Sequence, residues 1–290
     1  MITTATILSG VAQGLIWAIL TLGVYLTFRI LDIADLTVEG TFPLGAAVTV
    51  VLINTGMSPA MAMLCALLAG AAAGFITGFL HTIFQIPAIL SGILTMIALY
   101  SVNIRIMSDK ATVALEQPSL KTWMLSLLPE GTVSNTVSII LGTVFCLLIV
   151  ALLYYFFGTE IGCAVRATGS NQNMARSLGV KTDRVIILGL MISNALVALS
   201  GSLIAQLDYG SALVTMGQGT IVIGLASVII GEVIGEALLG KHLNFFGKLT
   251  FVVIGGIIYY IVVGIVLWLK LPSNDLKLFT AIIVAVFLAV

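Results

Sequence analysis

Long apolar intervals alternate with short polar ones along the whole chain. A helix that spans a bilayer needs roughly 20 mostly apolar residues. Eight intervals are candidates, and an apolar remnant at 278–290 follows them. The candidates are 6–28, 42–54, 60–84, 88–106, 135–157, 185–205, 217–240 and 249–269. The pattern predicts an all-α, polytopic transmembrane helical bundle with about 8–9 membrane segments. The whole of 1–290 is expected to form one domain.

The interval 42–54 is short for a span and follows a cluster of acidic residues. Asp32, Asp35 and Glu39 are spaced three and four residues apart, so they share one face of any helix that forms there. A short helix beside acids is typical of a central, discontinuous transport helix. We expect Glu39, next to Gly40, to accept hydrogen bonds from exposed backbone N–H groups in a structural or gating role.

Further polar residues lie inside the other apolar intervals. Ser193 and Asn194 are expected to bond to a neighbouring helix. Gln218 lies at the start of 217–240, where a broken or re-entrant segment fits the sequence. An acid such as Glu232 is costly in an apolar span and therefore indicates function. The candidate residues for a translocation path or gate are Asp35, Glu39, Asn103, Gln218 and Glu232.

The longest hydrophilic interval covers residues 158–184. Its basic residues outnumber its acidic ones, which places it on the cytoplasmic side and the polar interval 109–131 on the opposite side. Residues 171–178 are predicted to form a short helix with Asn171 at its start and Gly179 at its stop. Two interpretations are open for this interval: an amphipathic loop on the bilayer surface, or a docking helix for a soluble partner.

Composition sets the class of protein. Hydrophobic residues make up 60% of the chain and charged residues 8%, against roughly 25% charged in soluble domains. A net charge of zero provides no basic surface for nucleic acid. The three cysteines lack CxxC spacing and clustered histidines, so neither disulfides nor metal sites are expected. No G-x-x-x-x-G-K-[ST] motif occurs, so any ATP must bind to another polypeptide, and this chain is expected to carry no cofactor.

Five segments carry a family resemblance. AVRATGSNQNMARSLGV (164–180) resembles the cytoplasmic coupling segment of permease subunits in the branched-chain amino acid and ribose class of ATP-binding-cassette importers. The other four are similar to a narrower group within that class, the tryptophan/tyrosine-type uptake permeases. They are LTVEGTFPLGAAV (36–48), GILTMIALYSVNIRIM (92–107), GQGTIVIGLASVIIGE (217–232) and LPSNDLKLFTA (271–281).

The resemblance implies a permease subunit, not an enzyme, in a prokaryotic cell membrane. Its implied partners are a second copy of itself, a cytoplasmic ATPase dimer and an extracytoplasmic substrate-binding protein. The implied cargo is an aromatic or other hydrophobic amino acid, with branched-chain amino acids, sugars and nucleosides as alternatives. The implied contacts with the ATPase are Asn171, Met174, Ala175, Arg176, Leu178 and Gly179.

A different class of transporter is also considered. A secondary carrier driven by an ion gradient would use Asp35, Glu39, Glu232 or Glu236 for ion coupling. Such a carrier transports alone in liposomes, whereas the importer permease needs ATP and its partners.

Overall fold

The computed structural model describes residues 4–127, 134–240 and 244–268, together with Leu278 and Ile282. Within those residues, seven helices are long and apolar enough to cross a membrane, and a shorter apolar helix accompanies them. The predicted all-α transmembrane bundle is therefore confirmed. Most of the predicted C-terminal remnant at 278–290 lies outside the described residues.

The long helices follow the predicted intervals closely. They are α1 Thr4–Tyr25, α2 Val38–Asn54, α3 Pro59–Thr82, α4 Ala88–Ile106, α6 Ser134–Gly158, α9 Thr182–Ile204, α10 Thr220–Leu239 and α11 Phe245–Trp268. Shorter helices lie in the polar intervals: α5 Leu120–Leu127, α7 Glu160–Ser170 and α8 Gln172–Ser177. Helix α4 has the predicted bounds, whereas α2 begins at Val38 and not at residue 42.

Two helices continue beyond their regular part as short π-helical turns. Leu26–Ile30 extends α1, and Ala205–Tyr209 extends α9. Arg29, the residue that follows the predicted interval 6–28, consequently lies inside the extension of α1. A turn of this kind widens the helix locally, and it is frequent at functional sites.

Helices α1 and α9 form the centre of the bundle. Both are largely buried, with α2 and α3 packed on α9 and α11 packed on α1. Close approach depends on small residues: a Cβ at Gly74 of α3 would collide with the carbonyl oxygen of Leu190 in α9. Van der Waals packing between such small residues stabilises helix association in a membrane.

A small antiparallel sheet, absent from the predicted elements, lies at one end of the bundle. Strand β1, Thr112–Ala114, pairs with β2, Ser211–Leu213, with Val113 opposite Ala212. Helix α5 lies at the same end, because Lys121 Nζ donates to the carbonyl oxygen of Leu207 at 2.7 Å. Helix α8 packs instead near the start of α9, so the two polar intervals occupy opposite ends, as predicted.

Candidate translocation cavity and docking segment

Helix α2 begins inside the bundle. The chain from Leu31 to Leu36 is not helical, and Asp35 is only 3% exposed there. Its Oδ1 accepts the Thr37 N–H at 2.9 Å, and its Oδ2 accepts Asn194 Nδ2 at 2.7 Å. Since Asn194 lies near the middle of α9, α2 begins at mid-depth of the bundle. This is the geometry of a discontinuous transport helix.

A ladder of polar contacts then holds α2 along the second half of α9. Thr41 Oγ1 donates to Asn194 Oδ1 at 2.8 Å, and Thr49 Oγ1 donates to Ser202 Oγ at 2.7 Å. All four side chains are buried. The predicted hydrogen bond from Asn194 to a neighbouring helix is therefore confirmed, and Ser193 bonds likewise to the Gly23 carbonyl oxygen of α1. Buried polar groups paired in this way fix the position of α2.

Helix α10 begins close to the start of α2. Gly219 has φ +87°, a left-handed conformation that suits glycine, and its N–H donates to Glu39 Oε1 at 3.0 Å. A Cβ at Gly217 would collide with the main-chain carbonyl oxygen of Glu39. Glu39 therefore joins the first turn of α2 to the residue that precedes α10.

A cavity of about 520 Å³ opens beside this junction. Three of the five predicted path residues line it: Glu39, Asn103 and Gln218. The remaining lining residues are mainly apolar and come from α2, α4 and the turn before α10: Gly40, Pro43, Met96, Ile97, Tyr100 and Val214. A mostly apolar cavity with a few polar groups is typical of a small-molecule site.

Asn103 has an unusual position in the cavity. Its side chain is 0% exposed, and its Nδ2 donates to the Gly40 carbonyl oxygen at 3.1 Å. Its Oδ1 is buried and has no hydrogen-bond partner among the described residues. Buried carbonyl oxygens normally have a partner, so an unpaired one calls for a physical reason.

Two predicted path residues lie elsewhere. Asp35 does not line the cavity; it is held in the junction between α2 and α9, where its oxygens bond to Thr37 and Asn194. Glu232 lies near the other end of the bundle, where Oε1 is 2.8 Å from Arg29 Nε. The exposed Asp32 has φ +56° and no helix forms between it and Asp35, so the expected shared helical face of the three acids does not exist.

Arg29 and Glu232 line a second cavity of about 520 Å³. Arg166 and Lys248 lie in its wall as well. The sequence pattern did not indicate the partnership of Arg29 with Glu232, because the two residues are far apart along the chain. Their ion pair joins the end of α1 to α10.

Residues 158–184 form two helices with clear caps. Thr159 Oγ1 accepts the Gly162 N–H at 3.3 Å at the start of α7. This helix is not among the predicted elements, although Thr159 is a favourable cap. Asn171 Oδ1 accepts the Met174 N–H at 3.0 Å at the start of α8, and Gly179 has φ +86° after its end. The predicted short helix is confirmed with these caps.

The six residues of the predicted coupling group have different surroundings. Met174 and Leu178 are 62% and 72% exposed, whereas Ala175 is buried. Arg176 is bonded within its own chain, to Thr182 Oγ1 at 2.7 Å and to Asp183 Oδ1 at 2.8 Å. Asn171 and Gly179 serve as caps. The apolar surface of α8 is therefore the pair Met174 and Leu178.

Comparisons with known proteins identify relatives over almost the whole chain. The family described as the permease component of branched-chain amino acid transport systems matches residues 6–290. A tyrosine transport system permease protein of Clostridioides difficile is 41% identical over 98% of this chain and 90% of its own length. An uncharacterized protein of Rickettsia prowazekii is 35% identical over 98% and 96% of the two chains.

A more distant relative is the autoinducer 2 import system permease protein LsrC of Photorhabdus laumondii. It is 30% identical over 82% of this chain and 67% of its own length. The named relatives are transport permeases and not enzymes. No solved structure matches the chain.

Proposed function

The chain belongs to the family of branched-chain amino acid transport system permease components, and from this premise we propose that it is the membrane subunit of an ATP-binding-cassette importer. It is a multi-pass protein of a prokaryotic cell membrane. In the proposed assembly, two copies pair with each other and with a cytoplasmic ATPase dimer. An extracytoplasmic binding protein delivers the cargo, and ATP binds only to the ATPase.

The exposed apolar pair on α8 carries the proposal. A helix of six residues is too short to be stable without partners, and Met174 and Leu178 project away from the rest of the chain. Burial of each side chain in a groove of the ATPase contributes roughly 1.5–3 kcal/mol. The rigid caps and the Arg176 bonds hold α8 in position, so a movement of the ATPase passes to α7 and α9. The six residues named as the coupling group thus contribute by contact or by holding α8.

The proposed route of the cargo passes through the cavity beside Glu39. Two helices begin there, and helices that begin at mid-depth are the usual surroundings of a transported solute. The exposed side of α4, which includes Ile97 and Tyr100, is the side proposed to meet the second copy. Pairing of two copies there encloses the cavity.

The proposed cargo is an aromatic or other hydrophobic amino acid. The relative from Clostridioides difficile is named a tyrosine transport permease, and Pro43, Met96 and Tyr100 offer apolar contacts in the cavity. Branched-chain amino acids are the alternative cargo, and the description of the family supports them.

Two measurements test the proposed function. The complex is purified and analysed by native mass spectrometry, which is expected to show two copies of this chain with an ATPase dimer. Uptake is then measured in liposomes with and without ATP and the binding protein, for tyrosine, phenylalanine, leucine, a sugar and a nucleoside. Uptake by this chain alone, driven by an ion gradient, would establish the secondary carrier and overturn the importer. ATP-dependent uptake of the sugar alone would overturn the proposed cargo.

A further inference from the structure

We propose that the cavity beside Glu39 is a binding site for the ammonium group of the transported amino acid, with Asn103 Oδ1 as its hydrogen-bond acceptor. This inference rests on the proposed function, since it assumes an amino acid cargo. It goes further by assigning the permease itself a part in recognition of the cargo.

The unpaired oxygen of Asn103 is the first argument. Nδ2 of this side chain is fixed on the Gly40 carbonyl oxygen, which holds the amide with Oδ1 free of protein partners among the described residues. The residue is fully buried by its own chain and belongs to the cavity lining. A buried acceptor without a donor is costly, so a ligand that brings an N–H group regains that free energy.

The charge of the cavity is the second argument. Among the described residues that line it, Glu39 is the charged one. One of its oxygens, Oε1, accepts the Gly219 N–H, while Oε2 accepts no hydrogen bond from the described part of the chain. The Glu39 carboxylate, together with the unpaired Asn103 Oδ1, favours a cationic group and repels an anion. The head group is therefore an ammonium and not a phosphate.

The rest of the lining suits the other parts of an amino acid. Gln218 is exposed, and its amide can donate to a carboxylate. The walls formed by Pro43, Met96 and Tyr100 are suited to an apolar or aromatic side chain, for which Tyr100 offers ring contacts. A sugar fits this lining poorly, because its hydroxyl groups need many more polar partners than the walls provide.

The decisive experiment measures binding to the complete permease–ATPase complex in nanodiscs, without the binding protein. The probes are radiolabelled L-tyrosine, tyramine, which lacks the carboxylate, and 3-(4-hydroxyphenyl)propionate, which lacks the ammonium group. Tyrosine and tyramine are expected to bind at millimolar concentrations, and the propionate is expected to bind at least about tenfold more weakly. Equal binding of the propionate, or no binding of any probe, would overturn the proposal.

Two variants of Asn103 separate recognition from structure. Both variants remove the N–H that donates to the Gly40 carbonyl oxygen. Asn103→Leu also removes the acceptor, whereas Asn103→Asp keeps an acceptor oxygen in nearly the same volume. If the acceptor matters, Asn103→Leu binds tyrosine about tenfold more weakly and Asn103→Asp recovers most of the loss. If Asn103 only holds Gly40, Asn103→Leu leaves the preference for tyramine over the propionate unchanged, which contradicts the proposal.

Uptake in liposomes distinguishes the two levels of failure. Should the parent complex import no amino acid, the proposed amino acid cargo is wrong. Should the parent import tyrosine while Asn103→Leu imports it at the same rate, the function stands and the ammonium site is wrong. Assembly with the ATPase and ATP hydrolysis are measured for every variant, so that loss of folding is recognised.

Discussion

The junction between α2 and α9 differs from the short helix α8 in whether its functional side chains are buried or exposed. In the junction, Asp35, Thr41 and Asn194 are buried and bond to one another or to neighbouring backbone. At α8, the side chains of Asn171 and Arg176 also bond within the chain, but the apolar side chains of Met174 and Leu178 are exposed. One region is complete within a single chain, and the other presents a surface without a partner.

Because of this difference, substitutions in the two regions are expected to affect different properties: stability of the permease in one, association with a partner in the other. A change in the junction leaves buried donors unpaired, so it acts on the stability of the permease itself. A change in the exposed pair leaves the folded chain intact and acts on association. The cavity lies between these extremes, because Glu39 is bonded through one oxygen and Asn103 has one oxygen unpaired. Variants in the junction are therefore expected to lower thermal stability, those in the exposed pair to weaken binding of the ATPase, and those in the cavity to change transport.

The largest effect is expected for Asp35→Leu. The Thr37 N–H loses its acceptor and Asn194 Nδ2 loses one of its two, at a cost of about 1–3 kcal/mol for each unsatisfied group. We expect a lower yield of folded permease, a lower midpoint of thermal unfolding in detergent and loss of transport. Asp35→Asn is the matched control, since its amide oxygen still accepts one bond. Normal folding of Asp35→Leu would show that the junction is not needed for stability.

The next largest effect is expected for Met174→Glu combined with Leu178→Glu. Both side chains are exposed, so thermal unfolding of the isolated permease should match that of the parent protein. Copurification with the ATPase and transport should be lost, because charges replace the proposed apolar contacts. Gln172→Glu adds a charge on the other side of the same helix and is the control. If the double variant copurified with the ATPase and transported normally, α8 would be a surface segment without a docking role.

These two regions also differ in how well the sequence predicts them. Hydropathy locates the long helices, and the caps at Asn171 and Gly179 locate α8, because both signals are local. The position of Asp35 depends on its contact with Asn194, which lies far away along the chain, so the sequence does not reveal that Asp35 joins α2 to α9. The pairing of β1 with β2 is non-local in the same way, and strands of three residues carry little pattern.

The cavity beside Glu39 can be predicted from the sequence only in part. Glu39, Asn103 and Gln218 are recognisable as polar groups in apolar surroundings, and they line one cavity. Sequence does not reveal which oxygen of each is already bonded, because that depends on the approach of Gly219 and Gly40. The residue types could be predicted, but the unpaired atoms required the structure.

A smaller effect is expected for Glu39→Gln. The amide oxygen still accepts the Gly219 N–H, so the start of α10 stays in place. Loss of the carboxylate charge weakens the attraction for the proposed ammonium group, but Asn103 Oδ1 remains as its acceptor, so much of the transport is expected to remain. Glu39→Leu removes every acceptor and is expected to reduce transport far more. Initial uptake rates in liposomes, normalised to the amount of assembled complex, provide the comparison. Collapse of transport in Glu39→Gln, with normal assembly, would show that the negative charge itself is required.

The smallest effect is expected for Arg176→Gln, and it sharpens the distinction between charge and apolar contact on α8. The ion pair of Arg176 with Asp183 is about half exposed on both sides, and such surface pairs contribute about 0–1 kcal/mol. The Asn171 cap and the buried Ala175 also fix the position of α8, and the substitution alters neither of them. We therefore expect ATPase binding and transport close to those of the parent, with little dependence on salt concentration. Thr182→Val, which removes only the neutral partner of Arg176, is the control. If Arg176→Gln abolished ATPase binding while Thr182→Val did not, Arg176 would contact the ATPase directly, and the apolar pair would no longer explain docking alone.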